Sequence, residues 1–138
     1  MWGADDRKPM VWPDLTYASE RAHPLFGPEH TNDPVRFDSS LHSWYRKLIG
    51  LRNSSAPLRR GTFASIPTGH DRVFAFARQY EGERAVVVVN TSKEPRRVML
   101  PDGGPWNNAL GLGVLQLTSE GAFVEVEGVN GTVLLSGR

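Results

Sequence analysis

The chain has 138 residues, of which 39% are hydrophobic and 22% charged, ordinary proportions for a globular domain, and its formal net charge is +1. So even a balance supplies no field to gather nucleic acid or an anionic membrane surface, and the absence of cysteine excludes disulfides and thiolate metal sites. No stretch is long and apolar enough to cross a bilayer as a helix, and 10 prolines with 14 glycines imply a turn-rich, mainly β chain.

Residues 1–36 have no usable period. Pro9, Pro13, Pro24, Pro28 and Pro34 interrupt them, and Trp2, Trp12 and Tyr17 stand among charged positions. Trp2, Met10, Val11, Trp12, Leu15 and Phe26 are too apolar a set for free coil. A structureless run of this length is also uncommon inside a compact domain. The segment reads as a long ordered loop whose support lies outside itself.

From Phe37 to Gly61 a helical period takes over. Leu41, Trp44, Tyr45, Leu48 and Leu51 recur at the three- and four-residue spacing of one helix face. Asp38, Ser39 and Ser40 offer side-chain oxygens to the unpaired N–H groups of a first turn. Arg46, Lys47 and Arg52 suit the carbonyl end of the helix dipole. Asn53, Ser54 and Ser55 are poor helix formers, and Pro57 cannot continue the ladder. A helix is predicted from about Ser39 to about Asn53. Such a helix is marginal alone, and each apolar residue on its face gains roughly 1.5–3 kcal/mol from burial. The face therefore needs a partner: the β part, another chain, or a domain joined to it.

From Thr62 the period becomes two. Strands are predicted at Thr62–Ile66, Val73–Tyr80, Glu83–Asn90, Arg96–Leu100, Gly113–Thr118, Ala122–Glu127 and Thr132–Ser136. In Val73–Tyr80 the alternation puts Val73, Ala75 and Ala77 on one side and Phe74 and Phe76 on the other. Glu83–Asn90 is nearly all apolar, the mark of a strand buried on both faces. Glu81-Gly82, Glu120-Gly121 and Asn130-Gly131 read as turns, and Asp102 to Asn108 as a loop. Short strands with turn signals at this spacing mean an antiparallel sandwich or barrel.

The residues by themselves form no catalytic constellation. His23, His30, His42 and His70 lack ligand spacing, and no GxSxG, HExxH, Walker-type or GxGxxG pattern occurs. No metal or cofactor site is expected. Asp5-Asp6 beside Arg7 and Lys8 reads as a solvated turn with local ion pairs, against a calcium or sugar-hydroxyl corner. Trp2, Trp12 and Trp106 have faces that suit the C–H side of a pyranose, although tryptophans more commonly fill cores and interfaces. Asn53-Ser54-Ser55, Asn90-Thr91-Ser92 and Asn130-Gly131-Thr132 match the glycan-acceptor pattern at a frequency close to chance.

Two blocks carry a resemblance. MWGADDRKPMVWPDLTYASE, most closely at Gly3-Ala4-Asp5-Asp6 and Arg7-Lys8-Pro9-Met10-Val11-Trp12, resembles the segment after the last barrel strand of the α-amylase superfamily, glycoside hydrolase family 13. Its neopullulanase and cyclomaltodextrinase-like members are the nearest in pattern. LHSWYRKLIGLRNSSAPLRRG is similar to the family's final barrel helix and its exit, and VFAFARQY, ERAVVVVN and GTVLL resemble its antiparallel domain C. The resemblance covers essentially the whole chain. It implies a Greek-key β-sandwich at 61–138, preceded at 1–60 by a long loop and one helix left from a (β/α)8 barrel.

The resemblance also implies a fragment. The family's nucleophile, acid/base and second aspartate sit at the ends of earlier barrel strands, and neither Asp5 nor Asp6 matches them. The chain would thus support and shield the barrel of an enzyme acting on α-glucans without being catalytic alone. Asp6, Arg7 and Trp12 would line outer sugar subsites in the intact enzyme, since the loop falls on the face where barrel active sites are built. The partner is the missing barrel, α-glucan is bound only in the intact enzyme, and neither nucleic acid nor membrane is expected. Cut from the barrel, the Leu41/Trp44/Tyr45/Leu48 face is expected to be hidden by folding back or by self-association. The alternatives are a free-standing carbohydrate-binding β-sandwich module and an adhesion or scaffold sandwich. Met1 is similar to the family's internal methionine before Trp-Gly, and the compartment stays open among periplasmic, secreted and cytoplasmic.

Overall fold

A computed structural model describes residues 11–15 and 35–137. Most of the loop expected at 1–36 therefore lies outside the described residues, with Asp5, Asp6, Arg7, His23, His30, Trp2 and Tyr17. The chain divides into two compact units, Met1–Arg46 and Lys47–Arg138.

In the first unit, a turn at 11–15 is closed by the Leu15 N–H donating to the Trp12 carbonyl at 3.0 Å. Helix α1 (Ser39–Ser54) begins where Asp38 caps it: Asp38 Oδ1 accepts from the Leu41 N–H at 2.9 Å, and the Asp38 carbonyl accepts from His42 at 3.0 Å. The helix ends within a residue of the expected boundary.

The second unit begins within α1, at Lys47, and contains next a helix that sequence reading missed, α2 (Ala56–Arg60). Pro57 stops α1, yet it also starts α2, because proline is tolerated in a first helical turn whose N–H groups are unpaired anyway. Ser55 is the N-cap, and its buried hydroxyl accepts from the Leu58 N–H at 3.4 Å.

Eight strands follow: β1 (Ala64–Ser65), β2 (Val73–Tyr80), β3 (Glu83–Asn90), β4 (Arg96–Met99), β5 (Asn107–Asn108), β6 (Val114–Thr118), β7 (Gly121–Val126) and β8 (Asn130–Ser136). They form a five-stranded sheet ordered β1-β2-β3-β8-β5 and a three-stranded sheet ordered β4-β7-β6, every described pairing antiparallel. After β3 the chain crosses to β4 of the smaller sheet and returns briefly in β5 at the edge of the larger one. It crosses again to β6 and β7 and comes back in β8 between β3 and β5, a Greek-key path. β2 and β3 match the expected bounds residue for residue, joined by Glu81 and Gly82, both at positive φ (47° and 87°).

Two turns sit earlier than expected. Asn130-Gly131 is not a turn: Asn130 and Gly131 pair with Asn90 and Val89 inside the ladder. The chain reverses at Gly128-Val129 instead, with Val129 at φ 54°, a conformation that β-branched residues rarely adopt and sequence reading does not propose. A Cβ on Gly128 would lie 2.2 Å from the Lys93 carbonyl oxygen, so this reversal requires glycine. Likewise Thr118 pairs with Gly121, which places the other reversal at Ser119-Glu120 rather than Glu120-Gly121.

Between the sheets lie Val73, Ala75, Val86, Val88, Val98, Leu100, Trp106, Ala122, Val124, Val126 and Leu134. Burying each Val or Leu there contributes about 1.5–3 kcal/mol. At one end Asn90 ties the sheets together. Its Nδ2 donates to the carbonyls of Glu94 (2.8 Å), Val126 (3.0 Å) and Glu127 (3.1 Å), while Oδ1 accepts from the Ser92 N–H (3.0 Å) and hydroxyl (2.7 Å). Asn90 is 1% exposed, so its glycan-acceptor match is closed to modification in the folded chain. On the opposite side of the five-stranded sheet, Leu58, Ala85, Leu110 and Val133 form a second cluster, with Leu48, Leu51, Val87, Leu112 and Leu135 packed around it.

Candidate functional site

Of the three residues expected to line sugar subsites, Asp6 and Arg7 lie outside the described residues. Trp12 is 47% exposed, and the edge of its ring meets His42 at 6.4 Å between centroids with planes 71° apart. Phe37 lies on His42 as well, at 5.2 Å. His42 is thus an aromatic spacer, reached because the Asp38 cap turns the chain from Phe37 into α1. The structure leaves Trp12 with ring surface open to solvent and does not test its expected role.

The apolar face of α1 is unevenly covered. Leu48 and Leu51 are half-buried against the second cluster, whereas Leu41 and Tyr45 are 53% and 59% exposed. No residue of α1 is fully buried. Ile49, one turn beyond Tyr45, is exposed too.

A cleft of about 480 Å³ opens on the β domain, lined by Arg78, Gln79, Arg84, Asp102 and Trp106 among others. Its charged groups are already engaged. Arg84 donates to Asp102 Oδ2 and to the Ser136 hydroxyl (3.2 Å), and its guanidinium lies 4.9 Å above the Trp106 ring. Asp102 Oδ1 accepts from the Gly104 N–H at 3.0 Å, and the Asp102 carbonyl from Trp106 Nε1 at 3.1 Å. Arg78 closes the end of α2, donating to the carbonyls of Leu58 (2.8 Å), Gly61 (2.6 Å) and Thr62 (3.4 Å). Among the described residues, Asp102 is the single carboxylate lining this cleft. Retaining glycoside hydrolysis uses two carboxyl groups about 5 Å apart. Trp106 is 9% exposed and belongs to the inter-sheet core, which overturns a sugar-stacking role for it. Among the described residues no group of three or more His, Cys, Asp or Glu side chains is placed to hold a metal ion, and no helix is long and apolar enough to cross a membrane.

No protein-family model matches the chain. Trehalose synthase of Thermus thermophilus is 34% identical over 137 residues, covering 88% of this chain and 14% of that protein. Cyclomaltodextrinase of Thermoanaerobacter pseudethanolicus is 35% identical over 63 residues, covering 46% of this chain and 11% of that protein. Among solved structures, the α-amylase of Geobacillus thermoleovorans, complexed with acarbose, superposes with a TM-score of 0.65 at 20% identity, over 82% of this chain and 27% of that one. That identity speaks for the fold alone. The chain spans about a seventh or less of the length of these two curated relatives.

Proposed function

We propose that this chain, which belongs to the α-amylase family (glycoside hydrolase family 13) as its C-terminal part, supports and shields the catalytic barrel of an enzyme acting on α-glucans and is not catalytic alone. In this reading, 1–60 is the last loop and helix of the barrel and 61–138 the β domain. The catalytic acids belong to the barrel ahead of Met1. Asp6, Arg7 and Trp12 line outer sugar subsites once the barrel is in place.

The observation that carries the reading is an imbalance of burial. The β domain closes its own core with fully buried Val86, Val88, Val98, Val124, Val126 and Leu134. Leu41 and Tyr45 of α1 stay more than half exposed, forfeiting roughly 1.5–3 kcal/mol each. A self-sufficient binding module has no use for such a helix, whereas a barrel wall would cover it.

Three measurements test the reading. The codons ahead of Met1 are expected to encode the barrel, and the purified chain is expected to leave maltooligosaccharides and cyclodextrins intact. Hydrolysis by the chain unaided would overturn it. Calorimetric titration of the chain with maltooligosaccharides is expected to give no binding heat. Saturable micromolar binding would make the chain a carbohydrate-binding module instead.

A further inference from the structure

Strand β6 ends the three-stranded sheet, with β7 as its one neighbour among the described residues. The free N–H and C=O groups of an edge strand point outward in a row and can pair with a further strand. The other sheet edges are guarded. β1 and β5 are two residues long each, and β4 carries Arg96 and Arg97 between Pro95 and Pro101. β6, which reads Val-Leu-Gln-Leu-Thr over Val114–Thr118, is five residues long and holds neither a charge nor a proline. Its apolar side chains are poorly covered. Val114 is 58% exposed. Leu117 is 70% exposed, although it pairs with Ala122 and so shares the core-facing side of the sheet with Leu115.

We propose that β6 is a self-pairing edge, along which two copies of this chain join antiparallel and fuse their three-stranded sheets into one. The strand is complementary to itself, which identifies the occupant as a second copy. Its chemistry is symmetric about Gln116: Leu115 and Leu117 flank it, and the β-branched Val114 and Thr118, close in shape, stand at the ends. A two-fold axis through Gln116, perpendicular to the sheet, sets Leu115 opposite the second copy's Leu117, Val114 opposite its Thr118, and Gln116 opposite its Gln116. Each side chain keeps its face. The leucines meet on the core-facing side, so each copy covers the other's bare Leu117. On the outer side the two glutamine amides can donate to and accept from one another. No charge faces a like charge. Five residues a side fall short of the roughly 1,000 Å² that a stable interface buries, so the pair is weak and forms at high concentration. It leaves the outer face of the smaller sheet in water and does not depend on whether a barrel precedes Met1.

Sedimentation equilibrium of the 138-residue chain tests this. A monomer–dimer equilibrium is expected, with a dissociation constant between high micromolar and low millimolar. A chain still monomeric at millimolar concentration would overturn the inference. Gln116→Glu and Gln116→Lys each set a charge opposite its own copy at a half-buried position, and each is expected to weaken the dimer roughly tenfold. Mixed in equal amounts, the two variants are expected to recover the association of the parent sequence, because the axis then joins opposite charges. Association untouched by either variant, or no recovery in the mixture, would sink the inference. Cross-linking gives an independent readout. The chain has no cysteine, so Gln116→Cys puts a single thiol on the axis, at the Cα separation of about 5 Å that both a strand pair and a disulfide adopt. Diamide is expected to link Gln116→Cys into a dimer much faster than Tyr45→Cys, whose site on α1 is 59% exposed. Equal rates, or the reverse order, would place the contact elsewhere and refute the self-pairing edge.

Discussion

The outer face of the three-stranded sheet and the outer face of the five-stranded sheet treat their aromatic residues in opposite ways. On the smaller sheet, Phe123 lies under the Arg97 guanidinium, 3.9 Å from the ring centroid, and is only 8% exposed. Its register neighbours on that face are Met99 and Gln116, and Arg97 is flanked across the strands by Glu125. On the larger sheet, helical leucines roof one end of the face, and the other end leaves Phe63 and Phe74 more than half exposed. A cation over a ring is how a chain finishes a surface that stays in water. On the larger sheet Phe63 and Phe74 stay exposed with Phe76 half-buried between them, a row of rings that forms an apolar patch of the kind that associates.

The first way to break this comparison is to remove what both sheets share. Asn90→Ala deletes the donor to three carbonyls and the acceptor for Ser92 at the junction of the sheets. Unsatisfied buried groups cost about 1–3 kcal/mol each, so the variant is expected to lose about 4 kcal/mol of unfolding free energy in urea. A loss under about 1 kcal/mol would show that the tie is dispensable. Next in size is Leu58→Ala, which empties the roof over Ala85 and Val133. It is expected to cost about 2–4 kcal/mol and to increase binding of a hydrophobic dye, because the aromatic row then extends into an unroofed cluster. Arg97→Ala on the smaller sheet should cost only about 1 kcal/mol. Its mark should be greater solvent access to Phe123. Dye binding equal to that of Leu58→Ala would erase the distinction between the faces.

How much of this was legible beforehand follows from where local pattern alone decides structure. β2 and β3 were placed residue for residue because the alternation of Val73–Tyr80 and the apolar run of Glu83–Asn90 are bounded by a Glu-Gly turn. That Phe74 and Phe76 share one side was legible from the same alternation, but which side faces outward was not, because both sides are apolar. The roof over the sheet was not, because Pro57 ends one helix and begins another, and only Ser55 as a cap signals the second event. β5 is two residues inside a Gly/Asn/Pro-rich loop, too short to carry a period. The β7–β8 reversal was misplaced because Asn130-Gly131 looks like a turn, while the actual turn strains Val129. Asn90 reads in sequence as the polar end of an apolar run. Its role appears only when β7 brings the Val126 carbonyl to it from the other sheet. The family was legible in the quoted blocks, whereas the surface available to a barrel needed the register of β2, β3 and β8.

The finest test places one small change on each face. Val114 on β6 is 58% exposed and Val89 on β3 is 38% exposed, and Val→Thr at either swaps a methyl for a hydroxyl with little change in shape. In the 138-residue chain both sites face water, so each variant should unfold within about 0.5 kcal/mol of the parent sequence. In the full polypeptide the two should part. Val114→Thr should remain silent, because its face is already finished by Arg97, Glu125 and Gln116. Val89→Thr should lower the inactivation temperature, because a hydroxyl pressed into an apolar contact without a partner is costly. If both stayed silent there, the phenylalanine row would be as wet in the full polypeptide as in the 138-residue chain, and the contrast between the two faces would carry no functional meaning.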